Sequence, residues 1–195
     1  MYQEEEMFDL KQLLQIGQTL DYSNEAGRRK MSTILREILR EVKQLDLHPL
    51  LVSLLRKIHP DESDFIQMVL EILADIVEPL EDNEGDEQET EEEPHETFTR
   101  VLSICEEILR YTEMGVSHPG IGTGLLQNYI IPSLRHADCV VREKALACLG
   151  LYCLLDMKEA AKYLLLFVKV VGSAEPDAVQ LVAVRTLFDF LTLFG

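Results

Sequence analysis

Six cations crowd residues 28–43 of this chain: Arg28, Arg29, Lys30, Arg36, Arg40 and Lys43. Arg29, Arg36, Arg40 and Lys43 follow one another at intervals of seven, four and three residues. On a helix that spacing puts them along one face, where they could track a phosphate backbone. Glu37 and Glu41 are interleaved with them, so intrahelical ion pairs on a solvated face account for the same pattern. Both readings stay open, and the six residues are candidate DNA contacts.

The other constellations fail on context. Gly120-Ile121-Gly122-Thr123-Gly124 has no strand before it, no Lys-Ser/Thr after it, and its GxGxxG spacing breaks at Leu125. It is expected to be a flexible connector rather than a nucleotide loop. The five histidines, His48, His59, His95, His118 and His136, are scattered and none forms HExxH. Cys105, Cys139, Cys148 and Cys153 form no CxxC pair and have no histidine at zinc-ligand spacing; three of the four fall within helical stripes as small apolar residues. No serine or cysteine sits in a GxSxG setting. The residues thus predict no catalytic group, no cofactor, no metal and no small-molecule substrate, and leave a chain that works by binding.

The elements that must carry these residues read as helices. Aromatics are 7% of the chain and Trp is absent, while Leu, Ile, Val and Ala dominate, which suits helix-on-helix packing. A first helix is expected from Glu4 to Leu20, with Phe8, Leu13, Leu14, Ile16 and Leu20 as apolar points. The second, about Glu25–Gln44, holds the cations opposite Met31, Ile34, Leu35, Ile38, Leu39 and Val42. Pro49 opens a third, and Asp61 with Asp64 caps a fourth that runs to about Glu78. A fifth is expected at Thr97–Glu113, a sixth at Leu125–Arg135, a seventh at Asp138–Leu155, an eighth at Lys158–Val171, and a ninth at Pro176–Leu193.

Between the fourth and fifth lies PLEDNEGDEQETEEEPHE, residues 79–96. Nine of the thirteen residues from Glu81 to Glu93 are acidic, so low hydrophobicity and self-repulsion predict a disordered acidic loop. The stretch also accounts for much of the net charge of −17: without it 18 Lys+Arg face 26 Asp+Glu, which leaves −8. An acidic chain is not an autonomous nucleic-acid binder, so any DNA contact must come from a local patch. Reduced cysteines and the lack of an apolar leader or membrane-length run predict a soluble intracellular protein with no membrane role.

The organising stretch is 128–155, a helical hairpin whose second arm carries Val141, Ala145, Leu146, Leu149 and Cys153 on one stripe. Ala145, Ala147 and Gly150 allow a neighbour to come close, and Val141-Arg142 places an apolar foot inside and a cation outside. Moving back 76 residues maps Val141, Ala145, Leu146 and Leu149 onto Phe65, Val69, Leu70 and Leu73; moving forward 38 maps them onto Val179, Ala183, Val184 and Leu187. A repeat near 38 residues with two helices per unit predicts an all-α HEAT-repeat α-solenoid, with helical repeats at 1–78 and 97–195 on either side of the acidic loop.

GRRKMSTILREIL (27–39), DFIQMVLEILADI (64–76), IIPSLRHADCVVREKALACLGLYCLLD (130–156) and AVRTLFDFLTLFG (183–195) together resemble the G-type HEAT subunits (CAP-G) of condensin. The resemblance implies the middle portion of a longer array and the start of that family's C-terminal domain at 97–195. It implies a non-catalytic scaffold of mitotic chromosome condensation that grips the kleisin subunit (CAP-H type), meets the SMC ATPases indirectly, and helps clamp double-stranded DNA. The implied location is the nucleus and mitotic chromosomes, with a cytoplasmic pool. The alternative is a HEAT-repeat nuclear-transport or other protein-binding adaptor. Two departures stand out: His136 occupies the place of the Asp that precedes the Arg of a generic HEAT repeat, and Gln180 occupies the Arg position of the next repeat.

Overall fold

The computed structural model describes residues 2–81 and 94–195. Among them the regular structure is helical, with no strand. They divide into two compact units, Met1–Ile76 and Val77–Gly195.

In the first unit, α1 (Tyr2–Gly17) packs on α3 (His48–Ile58), which also packs on α2 (Glu25–Glu41). A 3-10 turn, Leu45–Leu47, leads into α3, and α4 begins at Glu62 in Glu62–Glu81. The cap of α2 is Asn24, whose side chain accepts from the Gly27 amide; Asp61 does the same for Asp64 at the head of α4. The core joins Leu35 and Leu39 of α2 to Leu51, Leu54 and Leu55 of α3 and Ile66, Val69 and Leu73 of α4.

Two expectations are corrected here. Of the apolar points of α1 only Leu14 is buried, while Phe8, Leu13, Ile16 and Leu20 are exposed, because α1 meets α3 along a single narrow stripe. Ile34 of α2 is likewise half exposed.

The second unit is built around α5 (Pro94–Tyr111), α7 (Cys139–Leu154) and α9 (Asp177–Phe194), with α7 packed between the other two. α8 (Met157–Val171) packs on both α7 and α9. Val101, Leu102, Ile104, Cys105, Ile108 and Leu109 bury α5 on almost every side. Gly150 explains how close α7 and α9 come: a Cβ there would lie 2.7 Å from Thr186 Oγ1.

The expected boundaries shift in two places. α4 reaches Glu81 and α5 starts at Pro94, so both ends of the predicted acidic loop are helical; Pro94 suits a first turn because its missing N–H has no partner to lose there. The rest of that loop, 82–93, lies outside the described residues.

The glycine-rich connector is not a loop either. Gly120–Ile130 forms a π-helix that runs into the short α6 (Ile131–Ser133), with Gly120, Ile121 and Gly124 buried. Gly122 is required at its start, since a Cβ would fall 2.7 Å from the Val116 carbonyl oxygen. The Ile121 and Gly122 amides both donate to the His118 carbonyl, so they are spent within the helix.

The 38-residue beat is visible in burial. Val141, Ala145, Leu146 and Leu149 are buried, as are Phe65, Val69 and Leu73 one way and Val179 and Ala183 the other.

Candidate functional site

The cations of α2 sort into distinct settings. Arg36 Nη2 lies 3.3 Å from Glu71 Oε2, and Arg40 Nη2 lies 2.6 Å from Asp75 Oδ2. Both pairs cross from α2 to α4 at an offset of 35 residues, close to the repeat length, and so staple successive hairpins. Arg29 pairs with Glu25 one turn back. Glu37 and Glu41, the partners expected from sequence, are not the carboxylates that Arg29, Arg36 and Arg40 meet in these pairs. Lys43 is exposed and has an interaction of its own. Arg28 is half-buried and Lys30 exposed, and neither guanidinium nor ammonium has an ion pair among the described residues.

Arg28 opens onto a hollow of about 500 Å³ between the start of α2 and the turn from α3 to α4. Ser32, Thr33, Arg36 and His59 line it on the α2 side and Asp61 and Asp64 on the other. Ser32 Oγ and His59 Nε2 are 2.9 Å apart. Burial holds the His59 ring below its ordinary protonation range, and Arg36 and Arg28 add to this while Asp64 opposes it. Sequence reasoning finds the arginines but not Ser32 and His59. The pairing of a helix serine with a histidine 27 residues on leaves no local signal.

The second cluster lies at the mouth of α7. Arg142 Nη1 donates to the carbonyls of His136 (2.8 Å) and Ala137 (2.7 Å), while Nε and Nη2 grip Glu175 from the α8–α9 turn, the shortest contact being 2.7 Å. The hydrogen bonds from Glu175 raise the Arg142 pKa further. The cation placed outside by the sequence is therefore a tie between two successive turns, and it holds them without the Asp that His136 replaces.

One repeat later Gln180 is the neutral counterpart of this tie, with Nε2 donating to the carbonyls of Ser173 (3.3 Å) and Glu175 (2.7 Å). Lys144 adds a third inter-helix tie, 3.1 Å from Glu106 on α5. Asp138 caps α7 by accepting from the Val140 amide at 2.6 Å, which depresses its carboxyl pKa.

The remaining candidates have structural positions. His118 and His136 accept backbone amides at Nδ1 in two turns, and His48 is wholly buried. Cys105, Cys148 and Cys153 are buried free thiols whose pKa burial pushes up, Cys153 to about 12; Cys139 is exposed. Among the described residues no three His, Cys, Asp or Glu side chains gather as a metal site, and no helix is long and apolar enough to cross a membrane.

A geometry of stapled helical pairs agrees with what the chain is similar to. Residues 100–195 match the Cnd3 family, described as the C-terminal domain of nuclear condensing complex subunits. Condensin complex subunit 3 of Schizosaccharomyces pombe is 28% identical over 98% of this chain, and that of Homo sapiens 23% identical over 95%. The chain spans 27% and 25% of those two relatives. Among solved structures, the S. pombe condensin Cnd3–Cnd2 subcomplex contains a chain that matches 95% of this one with a TM-score of 0.80 at 28% identity, over 23% of its own length. With its all-helical HEAT-repeat fold, the chain belongs to the condensin complex subunit 3 family.

Proposed function

We propose that this chain is a non-catalytic HEAT scaffold segment of condensin that binds the kleisin subunit and, within the complex, helps clamp double-stranded DNA during mitotic chromosome condensation. The observation that carries the reading is the fold-level and sequence match to Cnd3 in a structure solved together with Cnd2. A stack of helical hairpins offers long apolar and polar strips but no convergent reactive groups, which suits grip on an extended partner segment. Its partners in this reading are the kleisin directly and the SMC ATPases through it, and its place is the nucleus and the mitotic chromosome, with a cytoplasmic pool. The acidic stretch 79–96 separates two groups of repeats, 1–78 and 97–195.

DNA contact falls to the α2 cations. Arg29, Arg36 and Arg40 meet phosphate only in competition with Glu25, Glu71 and Asp75, whereas Arg28 and Lys30 have no such carboxylate among the described residues. Lys43, just past the end of the same helix, completes the six.

Co-expression of the full-length protein with the kleisin tests the central part. A stable one-to-one complex on size exclusion supports it, and separate elution of two folded proteins overturns it.

A further inference from the structure

The hollow beside Arg28 has a feature that stapling does not explain. A half-buried guanidinium with no carboxylate partner among the described residues faces a concave space that also receives two hydroxyls, Ser32 and Thr33. Each of these groups has donor capacity that a tetrahedral oxyanion can use. Thr33 Oγ1 donates to the Arg29 carbonyl at 3.1 Å and Ser32 Oγ shares a proton with His59, so both are held on the wall of the hollow rather than turned elsewhere.

The opposite wall sets the size of the site. Asp61 is fixed as the cap of α4, its Oδ1 accepting from the Asp64 amide at 3.0 Å, and Asp64 stands next to it. Two carboxylates on that side repel a second negative charge and confine an anion to the α2 side. Further along α2, Arg36 and Arg40 are already drawn toward Glu71 and Asp75. The helix therefore does not present a continuous cationic stripe.

From this juxtaposition of Arg28 with the Ser32 and Thr33 hydroxyls, we propose that the hollow seats one backbone phosphate of duplex DNA, with Arg28 as the contacting cation and Ser32 and His59 as positioning residues. The inference rests on the DNA-clamping reading above and narrows it, from a face of six cations to one anchored phosphate flanked by Lys30. Contact with a phosphate diester orients the duplex and carries no base information. Loss of the seat should then weaken binding equally for all sequences.

The test uses the full-length protein in complex with its kleisin and a fluorescent duplex of mixed sequence, titrated across a salt series. Arg28→Gln is expected to lower affinity about tenfold and to reduce the salt slope by about 0.9, the value of one neutralised phosphate on B-form DNA. Ser32→Ala should lower affinity less and leave the slope unchanged, because it removes no charge. Arg36→Gln, which breaks a staple, should lower the thermal midpoint more than it changes the slope. If the parent complex binds DNA with a steep slope and Arg28→Gln alters neither slope nor affinity, the seat is wrong while the clamp reading stands. If the parent complex shows no salt-dependent DNA binding, both fall. A circular-dichroism melt of Arg28→Gln matching the parent excludes misfolding as the cause of any loss, since that side chain has no ion pair to lose among the described residues.

Discussion

Arg142 shows how one side chain can hold two repeats in register. Its five donors are shared between two turn carbonyls and a carboxylate 33 residues away, a geometry that lysine cannot reproduce. Arg142→Ala should cost about 1–2 kcal/mol, since it frees two carbonyls as well as the ion pair, and Arg142→Lys should recover less than half of this. Urea denaturation followed by circular dichroism checks it; equal stability of the alanine variant would mean that the turns are held by something else. His59 makes a pH prediction at the same scale. Its pKa in the fold lies below the ordinary 6.5, so the fold favours the neutral ring. That contribution is complete above pH 6.5 and is lost as pH falls through the lowered value, where the unfolded chain takes up the proton first. The urea midpoint should therefore drop between pH 7.5 and pH 5.5 by more in the parent than in His59→Gln. Equal drops would remove His59 as the cause. The thiols give a third test: native protein should react with a bulky thiol reagent at Cys139, and at Cys105, Cys148 and Cys153 only after denaturation.

At the scale of the element, α7 and α9 approach through Gly150. Gly150→Ala brings a Cβ to 2.7 Å from Thr186 Oγ1 and should destabilise by about 1–3 kcal/mol despite the higher helix propensity of alanine. Adding Thr186→Ala should restore part of the loss, and a melt of the double variant no better than that of Gly150→Ala would contradict the close-approach account. This helix is legible in the sequence because its signals are local: Asp138 as cap, the apolar stripe from Val141, and the small residues on one side. The glycine-rich stretch before it misleads for the opposite reason. Glycines at 120, 122 and 124 advertise a loop, and only the Val116 carbonyl packed against Gly122 shows that they serve a tight π-helix. Burial on α1 is overstated by its pattern because periodicity marks an apolar face without saying whether a neighbour covers it.

Over the whole chain, the repeat is the feature most legible in the sequence, since a beat of 38 residues is an average over many positions. The ties between repeats are hidden. Arg36 with Glu71, Arg40 with Asp75, Lys144 with Glu106 and Arg142 with Glu175 each join residues 33 to 38 apart, and abundant charge elsewhere masks such pairs in a chain read linearly. The same ties change the standing of the DNA candidates, because cations that look available on α2 are shared with α4. Exposed pairs of this kind contribute little singly and matter through repetition. Membership in the condensin subunit 3 family rests on fold and sequence together, and the grip on kleisin is the claim from which the functional account follows. Affinity purification of the tagged full-length protein from mitotic cells, with partners identified by mass spectrometry, tests it most directly. The account predicts the kleisin and both SMC ATPases in near-equal amounts; recovery of a small GTPase and transport cargo without a kleisin would contradict it.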